Sequence, residues 1–451
     1  MRKAIMMLLA LGLIVGIGTS AMAAVENVKV GGDITIKGIY RSNFDLAKDG
    51  VGLLDMKGMH YIYAGTRVYV CADLSNNVST MIRFINERDF GNDYLREIEG
   101  SVILDLAYVK LADLFVPGLN LTVGRQEYQI GDGLVVGSRY RALDYVGADI
   151  GTAAIDLGMQ KAFDAIKIDY ALASCPVTME LFRSKIVESY INPTYAGISL
   201  KDVDLTSLSV NVKGDSFSVN PYLVNLSSDG ILGVAGTDVS LSLWTIGAIG
   251  AWNPVEALNL KLELAKQFGE LDGPNMDFKG WAGQIAGSWG FGGSLNPVVK
   301  AGYSHFTGQD FTKNDISAWI PVFPANVSSR VGKIAYASLF PVGESLALSV
   351  PMPAVLGTGL GALNLGFAIQ PTDKLGVSLD FYNLRALKTL VGNRKALGNE
   401  IDVEFSYAYS EDVSFGLDLG YLLTGGRVKE VLGAGNQENA WQAIASMKVA
   451  F

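Results

Sequence analysis

Apolar and polar residues alternate one for one along much of this chain, most cleanly from Asn399 to Gly425. There Ile401, Val403, Phe405, Tyr407 and Tyr409 interleave with Asp402, Glu404, Ser406, Ala408 and Ser410. Beyond Ser410-Glu411-Asp412 the series resumes, with Val413, Phe415, Leu417, Leu419, Tyr421 and Leu423 set against Ser414, Gly416, Asp418 and Gly420. A period of two puts one set on each face of a β-ribbon. The apolar face is continuous and aromatic, and the other is small and acidic. Such a ribbon suits a soluble sandwich with its apolar side inward, or a membrane barrel with that side toward lipid.

The rest of the chain decides between them. The same texture predicts strands at 28–40, 59–72, 78–88, 100–112, 118–129, 162–173, 177–188, 206–213 and 216–227. It continues at 239–252, 258–270, 280–292, 297–309, 360–370, 374–386, the two arms of the 399–425 ribbon, and 438–451. Tight turns fall at Gly214-Asp215, Asn253-Pro254, Asn296-Pro297 and Pro371-Thr372-Asp373. After odd-numbered strands the connections are long, among them 41–58, 130–161 and 310–359; after even-numbered strands they shrink to a few residues. A sandwich has no reason to gather its long loops at one end. The expectation is an all-β fold: a transmembrane antiparallel up-and-down β-barrel of about eighteen strands, with short periplasmic turns and long extracellular loops.

Composition and the N-terminus agree. Residues 1–23 join Arg2 and Lys3 to an apolar run ending near Ile17 and then Ala21-Met22-Ala23, the pattern of a secretory signal peptide cut after Ala23. Beyond it no segment approaches the ~20 apolar residues of a membrane helix. Residues 24–451 show no linker and no change of texture, so one barrel domain is expected, in the outer membrane of a Gram-negative-type bacterium, with outer-membrane lipid and lipopolysaccharide as surroundings. Without Arg2 and Lys3, 36 − 2 = 34 basic residues face 45 acidic ones, a balance near −11 that argues against a nucleic-acid partner. Trp281, Tyr421 and Trp441 fall near outer strand ends, and Trp252, Trp289, Tyr409, Phe415 and Phe451 near periplasmic ends, as two interfacial belts require. The final strand, ending on Phe451, resembles the signal read by the outer-membrane assembly machinery; it also simply closes the barrel and removes both sheet edges.

One stretch carries a family pattern: Gly124-Arg125-Gln126-Glu127-Tyr128, Gly131-Asp132-Gly133, Val136-Gly137-Ser138-Arg139 and Lys161-Ala162-Phe163-Asp164-Ala165. It resembles the alginate export family of outer-membrane porins. The resemblance implies an eighteen-stranded barrel passing anionic polysaccharide or other small solutes. Read without the family, Gly131, Gly133 and Gly137 permit φ > 0 and close backbone approach, so this loop can fold over the barrel mouth. Arg125, Arg139 and Arg141 then either present cationic forks to a passing anion or pair with Asp132, Asp144 or Asp149 and pin the loop.

Alternation places Arg67, Arg83, Lys167, Lys261, Asp169, Glu263, Asp380, Asp402, Glu404 and Asp418 on the lumen face, with Lys29, Lys37, Lys300, Lys448, Asp33 and Glu87 beside them. They are pore-lining candidates that orient polar solutes, or charges kept from a lipid face where a midplane Lys or Arg costs ~2–4 kcal/mol. No catalytic or metal site emerges, and no cofactor is implied. His60 and His305 lie on distant strands, and Ser304-His305 lacks an acidic partner. Gly357-Thr358-Gly359-Leu360-Gly361 lacks the strand and helix of a nucleotide loop, and Asp272, Asn275 and Asp277 read as a solvated turn rather than a calcium site. Cys71 and Cys175 are separated by several strands, too far to bridge. The leading expectation is a passive diffusion channel for small hydrophilic or charged solutes. Alternatives are an exporter of an anionic, alginate-like polysaccharide, and a surface adhesin or receptor working through 310–359. That loop and 130–161 are too long for plain caps, and its run from Ala318 to Pro324 suits water poorly, so at least one is expected to fold across the mouth with Arg139 and Arg141 lining it.

Overall fold

The computed structural model describes residues 26–48, 58–90, 102–137, 157–159, 161–188, 194–195, 198–199, 202–228, 240–310, 312–325, 328–338, 358–389, 392–433 and 435–451. Eighteen antiparallel strands form the wall. They are β1 Glu26–Ser42, β2 Met59–Ser75, β3 Val78–Asp89, β4 Ile103–Leu111, β5 Leu119–Glu127 and β6 Ala162–Ala171. There follow β7 Val177–Val187, β8 Val203–Lys213, β9 Phe217–Ser228, β10 Leu241–Val255, β11 Leu258–Leu271 and β12 Trp281–Gly290. The last six are β13 Val298–Phe306, β14 Leu360–Thr372, β15 Leu375–Ala386, β16 Ala396–Ala408, β17 Val413–Thr424 and β18 Ala440–Ala450. Each pairs with its neighbours in sequence, and β18 returns to β1 with Asp33 opposite Ala450 and Ser42 opposite Trp441. The amide of Phe451 donates to the Gly32 carbonyl and the Gly32 amide to the Phe451 carbonyl, so no sheet edge is left.

Connections alternate as the pattern predicts: 76–77, 214–216, 256–257 and 373–374 at one end, against 43–58, 128–161 and 307–359 at the other. Two turns lie further along than expected, and proline is the reason. β10 runs through Asn253-Pro254 to Val255, and β14 through Pro371 to Thr372, each with a register shift before the turn. A residue without an N–H is tolerated where the ladder is already interrupted. Pro221 sits inside β9, and there the ladder to β8 is interrupted between Ser209–Tyr222 and Val212–Val219 while the register is kept.

Alternation sets the two faces. Val68, Val70, Ile82, Phe84, Leu262, Leu264, Leu363, Leu365, Ile401 and Leu419 are exposed on the outside, the apolar band that a hydrocarbon surrounding requires. Aromatics flank it: Tyr40 stacks on Trp441, and Trp281 on His305, near the long-loop end, while Trp252, Trp289 and Phe451 stand exposed toward the short-turn end. Inside, the long-loop half is filled rather than open. Tyr128, Ile130, Leu134, Val135 and Val136 from one connection and Trp319, Ile320, Val322 and Phe323 from another form a buried core with inward strand residues such as Phe163, Phe182, Leu205, Leu243, Leu384 and Leu422. Burying so many large apolar side chains, at ~1.5–3 kcal/mol each, gives these loops a fixed seat.

Candidate functional site

The site is the passage left between the filled mouth and the polar inner face. Two stretches shape it. Residues 128–137 and 318–325 are joined by main-chain bonds: Phe323 N–H to the Val135 carbonyl at 2.9 Å, Gly137 N–H to Phe323 at 2.7 Å, and Ala325 N–H to Gly133 at 2.7 Å. Gly133 has φ +80, and a Cβ there would lie 2.4 Å from that of Ala325. Gly137 has no positive φ; it is needed only because Ala325 approaches it as closely. Gln267 on β11, wholly buried, clamps the same run by accepting the Ile320 amide at 3.0 Å and donating to the Ile320 carbonyl at 2.7 Å. The ring of Phe323 meets Phe163 edge-on, and Tyr128 stacks on Phe182 with its hydroxyl bonded to Ser207. The run from Ala318 to Phe323 is thus dry, with Ile320 at 1% exposure.

Two single-turn helices, α1 Ser328–Val331 and α2 Lys333–Ser338, then cross to the inner face of β16 and β17. The Ile334 and Ala335 amides donate to the carboxylate of Glu400, at 2.6 and 2.8 Å, and the Lys333 amide donates to Asp402 at 3.1 Å. The Lys333 ammonium bridges Glu404, at 3.1 Å, and Asp418. Burial pulls its pKa down, but the two carboxylates more than reverse this and leave it above the ordinary lysine value, so it stays charged. Arg330 pairs with Asp132 of the other loop at 3.0 Å, and Asp132 also holds Lys261 at 3.1 Å.

Among the residues expected to line the pore, those on β1 to β8 pair within the wall. Arg67 meets Asp33 at 2.7 Å, Arg83 meets Asp105 at 2.6 Å and also Glu127, and Arg125 meets Asp164 at 3.0 Å. Arg125 is therefore held by the next strand and not by Asp132, and its register opposite Asp164, on the face that carries exposed Val123 and Ile166, sets it on the outside of the barrel rather than in the pore. Lys167 lies between Asp169 and Glu180. On the other side Glu263 accepts the Tyr222 hydroxyl at 3.0 Å, and Lys300 faces Asp380 at 3.5 Å. Arg139, Arg141, Asp144 and Asp149 lie outside the described residues. Arg330, Lys333 and Glu400 were not among the sequence candidates. Glu400 continues the alternation that singled out Asp402 and Glu404, so the same period could have found it. Arg330 and Lys333 lie in a stretch with no period at all.

Wall and mouth together invite comparison with solved barrels. No family model matches the chain, and no curated protein matches its sequence. Its architecture does match: Pseudomonas aeruginosa OccK3 (OpdO) at a TM-score of 0.56 and 9% identity, over 94% of this chain and 96% of that one. Pseudomonas aeruginosa OccK8 (OprE) gives 0.56 at 11% over 95% and 99%, and Acinetobacter baumannii OccAB1 gives 0.56 at 12% over 96% and 99%. The fold shared with them is the closed antiparallel barrel of eighteen strands.

Under the inward segment lies a cavity of about 340 Å³. Lys261, Lys300, Arg330 and Lys333 line it together with Asp132, Asp380, Asp402 and Glu404. Such a space holds water and small polar solutes, oriented between paired charges of both signs. It is not built for catalysis at the one place the sequence raised: Ser304 points inward and is buried, while His305 points outward onto Trp281, so adjacent strand positions divide them between two faces. Asp272 accepts the Ser240 hydroxyl and Asp277 lies by Lys279, ordinary loop contacts. Cys71 and Cys175 are free thiols.

Proposed function

We propose that the protein is an outer-membrane diffusion channel for small hydrophilic or charged solutes. The observation that carries this reading is the seated mouth: among the described residues an apolar band faces out, charges face in, and loops from one end narrow the lumen above a charged cavity. Barrels of 16–18 strands are wide enough to keep an aqueous path. On the same reading, residues 1–23 are an export signal, the terminal Phe451 is read by the assembly machinery, and lipopolysaccharide surrounds the long-loop end. Reconstitution into planar bilayers tests it: stepwise ohmic currents are expected, and a barrel that inserts but passes no current overturns it.

The second reading, export of an anionic polysaccharide as in the alginate export family, rests on the motif residues from Gly124 to Ala165. Two features weigh against it. Arg125, one of the motif's cations, is engaged by Asp164, and the narrowed space is charge-balanced rather than cationic. Small solutes fit those features better than an anionic polymer.

A further inference from the structure

We propose that Lys333 is the residue that sets the charge selectivity of the passage, by withholding the carboxylates of Glu404 and Asp418 from permeating ions. The proposal rests on the channel reading above and names the group that tunes it. Inward faces of β11 and β15 to β17 carry Glu263, Asp380, Glu400, Asp402, Glu404 and Asp418, an acidic excess on one side of the lumen. Lys300 is taken by Asp380 and Lys261 by Asp132. Among the described residues, Lys333 is the cation within ion-pair distance of both Glu404 and Asp418.

Its position is fixed from both sides. The amides of 333, 334 and 335 are anchored on Asp402 and Glu400. Gly332 has φ +93, and a Cβ there would fall 2.5 Å from the Glu400 carboxylate, so only glycine lets the chain descend this close to the wall. Glu400 is completely buried and acts as a positioning residue, holding the segment so that the Lys333 ammonium spans two strands. With that ammonium seated, one of the two carboxylate charges is offset for an ion beside it. Without it, two adjacent carboxylates face the lumen uncovered and attract cations.

The test is the reversal potential of reconstituted channels under a potassium chloride gradient in dilute salt. K333Q should raise the cation-over-anion permeability ratio about two- to fourfold, as expected for one unit charge on the order of 10 Å from the ion in a watery, weakly screened medium. K333E should raise it further, and K333R should keep the wild-type ratio. A K333Q ratio equal to wild type overturns the proposal. If the wild-type barrel passes no current, the channel reading fails, and the charge is still read chemically on the detergent-solubilised protein. Ser378 faces Glu404 in register and lines the same cavity. In S378C, with Cys71 and Cys175 replaced by serine, K333Q should raise the labelling rate by a cationic thiosulfonate relative to an anionic one by a similar factor. An unchanged labelling ratio overturns the proposal independently.

Discussion

Along β1 to β6 inward cations find carboxylates on the wall itself: Arg67 with Asp33, Arg83 with Asp105 and Glu127, Lys167 with Asp169 and Glu180. Along β16 and β17 the acids reach instead to main-chain amides and one lysine of a segment that descends from the 307–359 connection. On the first wall the compensating cations belong to the strands themselves. On the second the compensating cation belongs to the segment, so the electrostatics there and the width of the passage are one variable. A barrel can therefore tie permeability to charge with a single loop.

The largest expected effect comes from removing that loop. Deleting 312–355 while keeping β13 and β14 intact should raise single-channel conductance several-fold and at the same time shift selectivity toward cations. Both changes are read from one set of bilayer recordings, and a conductance rise without the shift would break the comparison. A smaller effect is expected at the core that seats the loop. Phe323→Ala removes a ring packed edge-on against Phe163 and should destabilise the seat by about 3–5 kcal/mol, leaving the barrel closed. Hydrogen exchange at the Phe323 and Gly137 amides should then speed up sharply while heat-modifiable migration on detergent gels is retained. Protection equal to wild type would show that other contacts hold the mouth.

The smallest effect is expected on the first wall. The neutral double variant R67Q/D33N removes a pair that closes on itself and should restore the wild-type permeability ratio that R67Q alone disturbs. The double variant E404Q/D418N should not match the wild type, because it leaves the Lys333 ammonium with neither of its carboxylates. Comparing the two double variants in the same potassium chloride gradient sharpens the distinction. A wild-type ratio in both would mean that the second wall is as self-contained as the first.

The barrel was legible because lipid imposes a strict period on it. Ile401, Val403 and Phe405 must face out and Asp402 and Glu404 in, and that alternation repeats wherever the chain crosses. The inward loop was legible in outline for the opposite reason: the Ala318–Pro324 run is too apolar for water and had to find cover. What the sequence could not show was where it docks. Glu400 meets Ile334 and Ala335 across two connections, and no local pattern links a wall carboxylate to a distant amide. Arg125 looked like a ligand because the motif around it is distinctive, yet its contact with Asp164 needs only the register of β5 with β6. Turn positions at Asn253-Pro254 and Pro371 were misplaced because proline marks an interrupted ladder as readily as a turn.

The main-chain link between Val136 and Phe323 has a consequence for how the molecule is made. The two partners are separated by β6 through β13, so their contact closes a stretch of chain eight strands long. A contact that distant is cheap only once the chain entropy of the intervening strands has been surrendered. The narrowing of the mouth is therefore expected as a finishing step, added to a wall already standing.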